Sequence, residues 1–71
     1  MAEDVRAEMV STVFEVVVSE GQVVAEGDTL VILESMKMEI PVLAESSGTV
    51  TSLGVNVGDV IQQGDLIAVI S

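Results

Sequence analysis

The chemistry open to these 71 residues is set by one amine and 12 carboxylates. Lys37 is the only lysine and Arg6 the only arginine, and neither cysteine nor histidine occurs. Without Cys there are no disulfides, zinc-thiolate sites, iron–sulfur clusters or thiolate nucleophiles. Without His the usual neutral-pH proton shuttle and the commonest metal ligand are missing, and Ser–His or Cys–His catalysis is out of reach. Paired carboxylates could do acid–base work, but one of them would need a cleft to raise its pKa. A chain this short, with its apolar residues committed to a core, has little material for one. No catalysis of its own and no metal site are expected. What remains is a group that is carried or presented, and Lys37 is the candidate.

Lys37 lies in E-S-M-K-M-E-I-P, residues 34–41. A lysine in a turn is most often a solvated charge, and three features weigh against that reading here. A sole lysine serves no general solubility role. It stands between Met36 and Met38, soft apolar side chains that an exposed turn does not normally place at its tip. The turn also lacks the Asn-Gly or Asp-Gly pair that two-residue hairpins favour, so it accepts backbone strain, which often marks function. Met-Lys-Met therefore reads as a presented amine with adaptable apolar contacts on both sides, offered for modification or docking.

The elements that must position it come in two copies. Shifted by 37 residues, the first 34 overlay the last 34 with eleven identities, including Val13/Val50, Gly21/Gly58, Gly27/Gly64 and Asp28/Asp65. The sharpest stretch sets G-Q-V-V-A-E-G-D-T-L (21–30) against G-D-V-I-Q-Q-G-D-L-I (58–67). Ser35, Met36 and Lys37 alone fall outside the overlay, at the join. Such self-similarity implies two copies of one supersecondary unit, neither able to bury its apolar face alone. Val10–Val18, Thr29–Leu33, Gly48–Leu53 and Leu66–Ile70 are rich in β-branched residues and read as strands. The strand from Thr29 is expected to end at Glu34 and the next to begin at about Glu39, with Met36-Lys37 at the hairpin tip. Gly21, Gly58, Gly27 and Gly64 read as turn formers supplying φ > 0. The fold class expected is all-β: a flattened barrel or sandwich, about four short strands per copy, related by a pseudo-twofold. A single domain over 1–71 is expected, with residues 1–5 flexible.

The net charge of −10 repels phosphate backbones and anionic lipid, so neither nucleic acid nor a membrane surface is an expected partner. No apolar run approaches the length of a membrane span, the acidic start is no signal peptide, and the expected address is the cytoplasm.

E-S-M-K-M-E resembles the attachment motif E-A-M-K-M of biotin carboxyl carrier domains, with Ser35 in place of Ala. A-E-M-V-S-T-V (7–13) resembles the opening A-P-M-x-G-x-V of that family, and residues 20–30 and 57–67 resemble its two Gly-Asp blocks. Glu8 stands where the family usually has Pro and Ser11 where it has Gly. The resemblance spans nearly the whole chain and implies two four-stranded antiparallel sheets with the lysine on an exposed hairpin. It implies that a biotin protein ligase activates biotin as an acyl-adenylate and that the Lys37 amine attacks it to form an amide. Biotin would then carry CO2 between the sites of a biotin carboxylase and a carboxyltransferase, chemistry that belongs to cofactor and partners. On this reading Lys37 carries the cofactor, Met36 and Met38 set the recognised tip beside Ser35, and Glu34 and Glu39 complement the charge of the ligase. Glu34 and Glu39 also read as plain solvated strand-end carboxylates. Lipoate carriers share the fold but usually carry D-K-A, where this chain has Met36 and Met38. The reading of a different class is an unmodified module that docks a partner through its acidic face.

Overall fold

The structure, a computed structural model, describes residues 3–71. Eight strands follow in order: β1 (Glu3–Arg6), β2 (Ser11–Val16), β3 (Val23–Val24), β4 (Thr29–Ser35), β5 (Met38–Leu43), β6 (Gly48–Leu53), β7 (Val60–Ile61) and β8 (Leu66–Ile70). They form two four-stranded antiparallel sheets, β1-β8-β6-β3 and β5-β4-β2-β7. Adding 37 to the residue numbers of β2 and β3 gives those of β6 and β7, lays β1 and β4 on β5 and β8 with ends differing by two residues, and converts the first sheet order into the second. Each sheet therefore takes two strands from each copy of the repeat. The register obeys the same rule: Val5 faces Ala68 as Val42 faces Val31, and the bulge at Phe14 in β2 recurs at Thr51 in β6.

The core follows from this interleaving. Fifteen apolar residues are buried, and all but Val5 fall into seven repeat pairs, among them Leu30/Ile67, Val13/Val50, Leu33/Ile70 and Ala7/Ala44. Of the five pairs that lie on strands, each sheet supplies one member, so half the chain could not exclude water alone. The Gly-Asp turns are built twice over. Gly27 and Gly64 both take φ +91, a left-handed conformation that side chains resist. The carboxylates of Asp28 and Asp65 each accept the backbone N–H three residues earlier, at 2.9 Å.

Two expectations are corrected. Of the flexible stretch expected over residues 1–5, Glu3–Val5 belong to β1 and pair with Ala68–Ile70; Met1 and Ala2 lie outside the described residues. The strand expected over Val10–Val18 is shorter, because Val17 and Val18 leave the β2 ladder while Val17 still donates to the Leu30 carbonyl.

The body measures 32 × 18 × 17 Å. β4 ends beside the start of β2, and β8 ends beside the start of β6. Residues 17–22 carry the chain from the end of β2 to β3, which pairs with Gly48 and Thr49 at the start of β6. The β4–β5 turn and the described ends Glu3 and Ser71 accordingly sit at opposite poles of the long axis.

Candidate functional site

β4 and β5 form the best-paired hairpin of the chain, with ladder partners from Thr29/Leu43 up to Ser35/Met38. Between the last pair only Met36 and Lys37 remain, and both have positive φ, 52° and 65°. Two successive left-handed residues are the signature of a type I′ turn, whose twist matches that of the flanking strands. Asn-Gly adopts it readily, whereas two side-chain-bearing residues are held there at a cost of about 1 kcal/mol or more each. The strain expected from the missing glycine is thus located at the two residues on the tip.

The hairpin projects its tip into solvent. Met36 is 92% exposed, Met38 is 65% exposed, and Lys37 and Glu39 are exposed as well. The only ion pair among the described residues joins Arg6 to Asp4 at 3.4 Å. Lys37 therefore has no carboxylate clamp among them, although Glu34 and Glu39 are close in sequence. Such an amine suits acylation by an enzyme that reaches it from outside, and nothing at the tip encloses an attached group.

One rung below the tip, Glu34 faces Glu39 directly across the ladder. Like charges in that position disfavour pairing, and no cation of the described residues offsets them. The register continues this row across the sheet as Val60–Thr12–Glu34–Glu39. Val60 is 70% exposed, so an apolar side chain and two carboxylates share one outer face beneath the lysine. Thr12 and Val60 are not legible in the sequence as part of this face, because their neighbours lie on strands far apart in the chain. The signal available was the repeat: its equivalents Val23 and Thr49 are paired in the same way on the other sheet. Ser35, the other residue expected here, is half-buried and pairs with Met38 in the closing rung.

A concavity lies elsewhere, between edge strands β1 and β5. Leu33, Val42 and Ala44 line it together with Glu3, Glu26 and Glu45. No group of three or more metal-ligating side chains occurs among the described residues. No helix of the described residues is long and apolar enough to cross a membrane.

Comparison with known proteins gives a consistent picture. The sequence profile described as "Biotin-requiring enzyme" matches residues 3–70. The biotinylated protein TB7.3 homologue of Mycobacterium leprae is 70% identical over 71 residues, which is the whole of both chains. The biotin-dependent acyl-coenzyme A carboxylase alpha3 subunit of the same organism is 53% identical over 47 residues, 66% of this chain and 8% of that one. Among solved structures, Kluyveromyces lactis urea carboxylase superposes with a TM-score of 0.93 at 37% identity, covering 100% of this chain and 6% of the larger one.

Proposed function

The chain belongs to the biotin/lipoyl attachment family as a carrier domain for covalently bound biotin, and on that premise we propose that Lys37 is its attachment residue. The supporting observation is the tip itself: a sole lysine, in solvent, on a strained two-residue turn between two exposed methionines. In the loading step the Lys37 amine, having lost its proton within the ligase, attacks the carbonyl carbon of biotinyl-adenylate, a mixed anhydride. An N–C bond forms, the C–O bond to the adenylate breaks, and the second amine proton passes to a base of the ligase or to water. The domain supplies no base for this step. It holds the amine at the end of a rigid hairpin and leaves it unpaired.

Once attached, the cofactor supplies the ring that accepts and releases CO2. The remaining tasks belong to this chain's residues. Paired strands fix the root of the tether, the exposed tip leaves it free to swing, and Glu34 with Glu39 present negative charge to an approaching entrance. The partners proposed are a biotin protein ligase for loading, and a biotin carboxylase and a carboxyltransferase for turnover. The domain has no catalysis of its own, and its proposed place of work is the cytoplasm.

Intact-mass measurement of the 71-residue protein before and after incubation with biotin, ATP and a biotin protein ligase tests the assignment. One biotinyl increment, mapped to Lys37, is the expected result. A second labelled position, or an unlabelled Lys37 beside a ligase active on another carrier, would overturn it.

A further inference from the structure

The composition leaves this protein few places where an oxidant can act. Cys, Trp, Tyr and His are all absent, so the thioethers of its 4 methionines are its readily oxidised groups. Their positions are uneven. Met36 and Met38 are 92% and 65% exposed, Met9 is 44% exposed, and Met1 lies outside the described residues. Two of the four sulfurs thus bracket the single lysine, and one has almost the accessibility of a free peptide.

We infer that Met36 and Met38 are a reversible oxidation site that gates the loading of Lys37, a proposal resting on Lys37 as the attachment residue. The oxidant required is a hydroperoxide. Its terminal oxygen is transferred to the methionine sulfur, the O–O bond breaks as an S–O bond forms, and the sulfur loses the two electrons that reduce the peroxide to water or an alcohol. The product is a sulfoxide, chiral and strongly hydrogen-bond-accepting, in place of a soft apolar thioether. A ligase pocket that receives the tip through apolar contact must then desolvate a polar S=O on each side of the amine. The fold is indifferent to the change, because neither side chain belongs to the buried core. Loading would be switched off without unfolding the carrier, and a methionine sulfoxide reductase would restore it, a dithiol supplying the two electrons as it closes to a disulfide and the oxygen leaving as water.

The test uses the unbiotinylated 71-residue protein treated with hydrogen peroxide. Mass mapping identifies the oxidised sulfurs, circular dichroism follows the fold, and initial rates of ligase-catalysed biotin transfer provide the readout. Oxidation at Met36 and Met38 with an unchanged spectrum should lower the rate about tenfold or more. Sulfoxide reductases should return it to the untreated value. The double variant Met36→Leu/Met38→Leu, compared with its own untreated rate, should be insensitive to peroxide although it keeps Met1 and Met9. Equal rates for oxidised and reduced wild-type protein would overturn the gate while leaving Lys37 as the attachment residue, as would a loss of rate that reductases do not reverse. If reduced protein is not labelled at all, the attachment assignment fails and the gate falls with it.

Discussion

At Lys37 the backbone and the side chain make different demands. The amine needs solvent and an unobstructed approach, whereas the turn that provides both would be more comfortable with Asn-Gly. Lys37→Arg keeps charge and bulk but removes the acylatable amine, so labelling should vanish. Stability should change by less than about 0.5 kcal/mol, as for other surface substitutions, which a urea titration of the variant can check. The facing carboxylates Glu34 and Glu39 pose the same conflict more sharply, since a pair chosen for hairpin stability would not be Glu opposite Glu. Glu39→Gln should stabilise the domain by about 0.3 kcal/mol, the scale of cross-strand charge pairs. It should also slow transfer by a ligase, chiefly through association. A variant equally fast at low salt would mean that these carboxylates do no steering.

At the scale of strands, the close approach of β6 to the end of β8 is the sensitive joint. A Cβ built on Gly48 would stand 2.6 Å from the Ser71 carbonyl oxygen and 2.9 Å from Cγ2 of Ile70. Backbone cannot swing aside as a side chain can, so Gly48→Ala should cost about 2–3 kcal/mol, visible as a lower urea midpoint. Lys37, at the opposite pole, should remain a substrate in the molecules that stay folded. Ser11, the repeat equivalent of Gly48, shows what the other copy does with the space: it is buried and donates its hydroxyl to the Met9 carbonyl at 3.2 Å. How much of this was legible depended on how local it was. The Met-Lys tip, the glycine turns and strands β4, β6 and β8 rest on neighbouring residues and stand close to where the pattern put them, while β2 is shorter than Val10–Val18. β1 did not, because E-D-V-R has neither length nor alternation and becomes a strand only by pairing with β8, more than sixty residues later. The two-residue strands β3 and β7 are too short for any periodicity to show. The repeat could have supplied β1, since the same offset lays residues 3–6 on the hairpin strand β5.

For the molecule as a whole, charge and topology pull on different properties. With 12 carboxylates against two cations on a body this small, self-repulsion opposes compactness. Screening sets in within about 10 Å at 0.1 M salt. Sodium chloride should therefore raise the melting temperature, while slowing association with a basic partner entrance. A melting temperature that falls with salt would mean that the charges are locally compensated. Attachment at Lys37 removes one positive charge, taking the net from −10 to −11, so the loaded form should show the larger salt response. The interleaving of strands bears on something other than stability. The hairpin's own sheet closes only when β7 pairs with β2, and the opposing sheet only when β8 pairs with β1 and β6. The first is therefore incomplete until Ile61 is available, and the core until Ile70 is. A nascent chain whose β7 and β8 are still inside the ribosome can offer the sequence around Lys37 but not the braced hairpin. An enzyme that reads the shape of the tip must wait until β8 has emerged, so the order of events at synthesis is built into the strand order: the last strand, then closure, then acylation.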